Sequence, residues 1–197
     1  MSEESWDEIH KAHDKNQWAT LLELCVQHLK QNRDHLWARI PQAIALTHLN
    51  HLEEAVTLLQ ETYENANASP YCKYQCQREL GQTFEEMGRF DDARRAYDEA
   101  HRLEPKSTIP IIYQGAIELR IGEFATAREW LNRALQCPEG AFEEAHFNIG
   151  SSYLAQRNYP KAIEHYQKAL TLDPNYDIAW DRLADAKRAL EIQQQSK

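Results

Sequence analysis

The sequence predicts an all-α chain assembled from repeated helix-turn-helix pairs. Glycine and proline are scarce, 6 and 7 of 197 residues, or roughly 7% where average usage is about 12%. A turn-rich sandwich or barrel needs more of both. Apolar residues recur three and four apart in runs of about a dozen, the stripe of a helix with one covered face. The same pattern then returns along the chain with a period near 34 residues. Hydrophobic residues make up 42% of the chain, which argues against wholesale disorder, and no stretch approaches the roughly 18 apolar residues of a membrane helix. The first residues, Met1 to Asp14, are acidic and polar, unlike a secretory or transit peptide. A formal charge of −9 disfavours nucleic acid and anionic lipid as partners.

The repetition is read by aligning the segment from Leu80 to Ala93 with that from Ile149 to Ala162. Small, aromatic and alanine positions coincide, and Tyr97, Ala100 and Pro105 continue in register with Tyr166, Ala169 and Pro174. A third copy between them carries Gly115, Gly122, Phe124, Ala127, Leu131 and Ala134. Ala43, Leu46, Leu52, Ala55 and Leu59 fit a fourth; Ile9, Ala12, Trp18, Leu21 and Cys25 fit a weaker fifth. Unit starts at Ser2, Leu36, Tyr74, Thr108, Glu143 and Asp177 lie 34, 38, 34, 35 and 34 residues apart.

Each element has a local reason. In the fifth unit, Phe147, Gly150, Ser151 and Leu154 stripe the first helix, while Ala162, Ile163, Tyr166, Ala169 and Leu170 stripe the second. Gly81, Gly115 and Gly150 lack the side chain that would hold the paired helix away, and Ala93, Ala127 and Ala162 do the same from the other side. Glycine inside a helix costs roughly 0.5–1 kcal/mol, so close packing must offset it. Pro105 and Pro174 end second helices, because the residue before proline leaves the helical region. The 38-residue unit holds one extra turn, and Ser69-Pro70 reads as a cap and first position, so that the third unit's first helix begins near Pro70. Pro41 sets the start of its helix near Ala38 to Ile40, and Pro138-Glu139-Gly140 reads as a turn. From Asp177 a lone first helix is expected to cap the stack, with Trp180, Leu183, Ala184, Lys187 and Leu190 inward.

The period, the small residue within the first helix, the alanine opening the second and the closing proline resemble the tetratricopeptide repeat family. The likeness spans residues 2 to about 190, with the first unit diverged at His28 and Arg33. It implies a right-handed superhelix, an α-solenoid of about five repeats plus a capping helix. The array is expected as one domain over 1–190, with units near 2–35, 36–73, 74–107, 108–142 and 143–176, a cap at 177–190 and a flexible tail at 191–197.

The family's usual role is to hold a peptide or helix of another protein against the first helices, in a concave groove. Residues projecting there, away from the small-residue stripe, are Trp37, Ile40, Ile44 and Thr47 in the second unit and Gln75, Arg78, Glu79, Gln82 and Glu85 in the third. Ile109, Ile112, Tyr113, Ala116 and Arg120 follow in the fourth, and Glu144, Phe147, Asn148 and Ser151 in the fifth, with Arg182 and Asp185 closing the row. The apolar members make a patch large enough for a binding site; the other reading is that some pack between neighbouring first helices. The family's lysine- and asparagine-based clamp for chaperone C-termini is not expected, since Asn148 alone is of the right type and lacks basic neighbours. An apolar or mixed peptide fits better.

Other chemistries are weaker. Cys25, Cys72, Cys76 and Cys137 are too scattered for a disulfide framework and point to a reducing, cytoplasmic setting; Cys72 and Cys76, one turn apart, are either a redox or metal pair or two half-buried helix residues. His10/His13 and His48/His51 have chelating spacing but no third ligand, so neither a metal nor another cofactor is expected. No phosphate loop, nucleophile elbow or HExxH motif occurs, and no Lys/Arg cluster suggests RNA. Two readings remain: a non-catalytic scaffold or adaptor that binds a partner protein, or a homo-oligomer assembled through the same apolar surface.

Overall fold

The computed structural model describes residues 3–195, and the described residues are helices and short connections without a strand. They form two compact units, Met1–Glu104 and Pro105–Lys197. The division falls at the proline that ends a second helix.

The first unit contains α1 (Glu3–Asp14), α2 (Trp18–Gln31), a 3₁₀ turn at Leu36–Ala38 running into α3 (Arg39–His48), α4 (Leu52–Glu64), α5 (Pro70–Glu86) and α6 (Phe90–Leu103). The second contains α7 (Ile109–Arg120), α8 (Phe124–Ala134), α9 (Phe142–Ala155), α10 (Tyr159–Leu172) and α11 (Asp177–Gln195). Within each unit a helix packs on the next in sequence; in addition α3 meets α5, and α9 meets both α7 and α11, so first helices line up beside one another. As expected, Ser69 caps α5 by accepting the Cys72 N–H at 3.1 Å, with Pro70 at the first position. Helix α5 therefore starts four residues before the expected 74–107 unit. Residue Asn158 caps α10 in the same way, with Pro160 in its first turn.

One backbone device makes every hairpin. Residues Asn16, Asn50, Gly88, Gly122 and Arg157 occupy the same place in successive units, and all have positive φ, 54°, 64°, 71°, 86° and 57°. The next amide in each turn reaches back five residues: Gln17 to Ala12, His51 to Leu46, Arg89 to Phe84, Glu123 to Glu118 and Asn158 to Tyr153, at 2.8–2.9 Å. This left-handed cap satisfies carbonyls that the ending helix leaves open. Glycine and asparagine adopt it readily; Arg157 does so against the side-chain sterics of an L-residue.

The helix crossing follows a volume exchange between two positions. A Cβ on Gly81 would fall within the Tyr97 ring; on Gly115 it would lie 2.8 Å from Leu131 Cγ, and on Gly150 2.8 Å from the Tyr166 ring. In the second repeat Ala43 takes the glycine's place and Leu59 the large residue's, and in the first repeat the sizes invert, with Ile9 clustered with the small Cys25. All of these side chains are buried.

The C-terminal helix departs from expectation in two ways. It continues to Gln195, so residues 191–195 are helical and not a tail; Ser196 and Lys197 lie outside the described residues. Glu191 stands where every earlier repeat has its left-handed residue, and the helix-forming Ile-Gln-Gln-Gln after it carries the helix on. Its buried face is Ala179, Leu183 and Ala186, packed with Ala162, Tyr166 and Leu170 of α10. Of the expected inward stripe only Leu183, with Leu190 half-covered, is inward; Trp180, Ala184 and Lys187 are exposed because no second helix lies on that side among the described residues.

Cys72 and Cys76 are buried, and burial raises both thiols, as it pushes Cys25 up to about 12. Neutral thiols are poor nucleophiles, which leaves a packing role. No group of three or more His, Cys, Asp or Glu side chains among the described residues is placed to hold a metal, and no helix is long and apolar enough to cross a membrane.

Two substitutions test this construction by thermal unfolding. Gly150→Ala should destabilise by about 1–3 kcal/mol through overpacking on Tyr166, although the same change in an open helix would stabilise by about 1 kcal/mol. Arg157→Gly should raise stability by about 0.5–1 kcal/mol, the left-handed penalty less the extra chain entropy of glycine.

Candidate protein-binding face

The side-by-side first helices present a row of side chains in each unit. In the first unit the row centres on aromatic residues. Trp37, just ahead of α3, lies with its ring 5.5 Å from that of Tyr71, which in turn stacks 5.7 Å from Tyr74. The Gln75 side-chain amide donates to the Tyr71 hydroxyl at 2.9 Å. Tyr71 is 53% exposed, yet held on both sides. It is absent from the row the sequence predicts, because that row is counted from Tyr74 and Tyr71 sits in the extra turn before it. A signal exists all the same: an aromatic residue four before Gln75, directly after the capping Ser69-Pro70.

Further along, Ile44 is half-buried and accessible, whereas Ile40 is buried. Arg78 and Glu79 pair with each other, through Nε at 3.0 Å and a second, closer guanidinium contact. Glu79 is buried and so removed from the expected row; Arg78 and Gln82 stay half-exposed. The hydroxyls of Thr47 and Thr83 meet at 2.9 Å, tying α3 to α5. The Tyr97 hydroxyl, carried by α6, donates to Glu85 Oε1 at 2.6 Å.

In the second unit, Ile112 is fully buried among Ile111, Leu131, Ala134, Ala145 and Ile149. It packs where α7, α8 and α9 meet and faces no groove, which corrects the sequence expectation. Tyr113, Ala116, Asn148 and Ser151 are half-buried on the accessible side, and Arg182 is exposed 3.6 Å from Asp185. Phe147 lies 5.1 Å from the Tyr176 ring and 5.7 Å from that of Tyr166. The Ser151 hydroxyl donates to the Phe147 carbonyl at 3.0 Å and lies 3.2 Å from the Tyr166 hydroxyl. Beside this aromatic pair, burial and then the neighbouring Glu143 raise the Glu144 carboxyl above its ordinary range. Burial and then Glu144 push the Tyr176 phenol up to about 12. An additional positive charge here would meet two carboxylates and two aromatic rings.

The paired histidines of the first repeats engage neighbouring aromatic and acidic side chains. His10 sits edge-on to Trp6 at 4.9 Å, His48 stacks on Trp18 at 3.9 Å, His13 lies edge-on to Trp18 at 6.0 Å, and His51 bonds Glu54 at 2.9 Å. The buried His28 of the diverged first repeat contacts His35 at 2.6 Å and Ser5 at 3.2 Å. A cleft of about 460 Å³ beside α4, α5 and α6 is lined by Tyr63, Gln77, Phe84, Arg89, Asp92 and Glu99. Within it Arg89 pairs with Asp92 at 2.7 Å, and Glu99 meets Tyr63 and Arg102 at 2.6 Å.

Stacked helical hairpins with an accessible row of first-helix side chains define a helical-repeat protein. Two tetratricopeptide repeat models match, at residues 143–176 and 78–142, together half the chain. The chain belongs to the tetratricopeptide repeat family, whose repeats serve as scaffolds for protein–protein interaction. It is 26% identical over 166 residues to ER membrane protein complex subunit 2 of Xenopus tropicalis, covering 84% of this chain and 54% of that protein. The chain thus spans about half the length of the curated relatives it matches. A thermophilic repeat protein of Thermus thermophilus superposes with a TM-score of 0.74 at 18% identity, over 94% of this chain and 98% of that one. Cut9-Hcn1 from the APC/C hetero-tetramer superposes with 0.75 at 18% identity, over 93% and 35%. At such identity these two show the fold alone.

The Glu144 carboxyl gives a pH test. Its folded-state pKa is raised, so below the ordinary carboxylate range both folded and unfolded chains hold the proton. As pH rises through that range the unfolded chain releases it first, and stability is lost. Glu144→Gln should therefore melt higher than the parent at neutral pH and at the same temperature near pH 3, below about 3.9–4.3 for ordinary carboxyls.

Proposed function

We propose that this chain is a non-catalytic scaffold or adaptor whose first-helix face binds an extended segment or a helix of another protein, apolar in its main contacts and carrying a basic side chain. The observation that carries this reading is Tyr71, an aromatic ring left half in solvent yet held between Trp37, Tyr74 and Gln75. A rigid, amphipathic ring ordered before binding loses little entropy when it is covered, which is why such residues dominate binding energies. Support for the basic side chain comes from Glu143 and Glu144 beside Phe147 and Tyr176. Membership of a multi-subunit assembly suits this reading, given that three of the curated relatives are named as subunits of an ER membrane protein complex. A cytoplasmic setting is proposed with it; four free cysteines fit a reducing compartment.

The test is truncation of the aromatic contact. A partner isolated by affinity capture from the native cell, and then titrated as a purified segment, should bind Tyr71→Ala and Trp37→Ala at least about tenfold more weakly. Circular dichroism of both variants should match the parent. Undiminished affinity in a folded double variant would sink the assignment.

A further inference from the structure

The apolar surface exposed by the second unit is concentrated at its last helix. Of the six large apolar side chains most exposed among the described residues, Ile178, Trp180 and Ile192 lie on α11 and Leu172 at the end of α10. Helix α11 is built as a first helix: Ala184 stands where Gly81, Gly115 and Gly150 receive the aromatic or leucine of a second helix. Among the described residues that notch has no occupant, since the helix runs straight through the place of the hairpin turn at Glu191. Trp180, Ala184, Lys187 and Glu191 succeed one another at four-, three- and four-residue steps, one seam along the helix, with Asp181 and Arg188 on its flank, and all six are exposed. The Trp180 indole N–H donates to the Pro174 carbonyl at 3.0 Å, which fixes the ring while half of it faces water.

The charges on this seam are self-complementary. If a second α11 runs antiparallel across it with the two-fold axis at Ala184, each residue faces one as far beyond Ala184 as it stands before it. Asp181 then meets Lys187, Trp180 meets Arg188, and the two Ala184 residues allow close approach. The symmetry makes each contact twice. Asp177 meets Glu191 at the outer ends, a like-charged pair at the rim where solvent screens it. We propose that this face of α11 docks a second copy of the chain in this antiparallel arrangement, separate from the first-helix groove. One helix pair falls below the roughly 1,200 Å² of stable interfaces, so the dimer is weak and reversible.

Sedimentation velocity of the full chain over a dilution series tests it. The parent should show a reversible monomer–dimer equilibrium. Asp181→Lys places lysine against lysine at both contacts and should weaken association roughly tenfold; Lys187→Asp should do the same. The double variant D181K/K187D restores opposite charges across the axis and should associate like the parent. All these positions are exposed, and circular dichroism should show unchanged folding. A parent that stays monomeric at every concentration, or a double variant no better than the singles, would overturn the proposal. So would a dimer that survives Asp181→Lys but is lost in the Trp37→Ala/Tyr71→Ala variant, because the copies would then meet through the groove.

Discussion

Everything in each repeat depends on how closely a first helix can approach its own second helix. One pair of positions sets that distance, and their sizes trade against each other: Ile9 with Cys25, Ala43 with Leu59, Gly81 with Tyr97, Gly115 with Leu131, Gly150 with Tyr166. One member of each pair is glycine, alanine or cysteine and its counterpart tyrosine, leucine or isoleucine, so every crossing sets one small side chain against one large one. Native packing density leaves no room to enlarge one without reducing the other. The left-handed turn residue completes the hairpin by fixing how the second helix leaves the first. With spacing and exit direction set, the remaining apolar stripes meet the next hairpin, and a row of first helices results.

Much of this is legible in the sequence because it is periodic. The helix pairs, the crossing glycines, the Ser69-Pro70 start and the late beginning of α3 all come from residue types at fixed spacing. The binding face is legible only in part, for a geometric reason. A periodic frame locates a residue along its helix but not whether a neighbouring helix covers it. Ile40 and Ile112 take the same place in their repeats as Phe147, yet they are buried and Phe147 is partly open. Tyr71 escapes the frame altogether because it lies in an inserted turn, outside the spacing that picks out the others.

The end of the chain shows the same rule from the other side. The inward stripe expected for α11 is drawn from the earlier repeats, where Trp180, Ala184 and Lys187 would be covered by a second helix. Remove the left-handed turn, and the helix continues; the stripe that remains buried is the one facing α10. Which face of a repeat helix is core thus depends on the element after it, information that lies outside the helix's own sequence.

The crossing tyrosines join two properties usually kept apart. The rings of Tyr97 and Tyr166 fill notches in the core, and their buried hydroxyls reach back to the first helix, against Glu85 and Ser151. A single side chain therefore fills the crossing with its ring and ties the two helices together with its oxygen. Phenylalanine at either place would keep the ring and delete the oxygen, so in this architecture one atom separates filling a helix crossing from bonding across it.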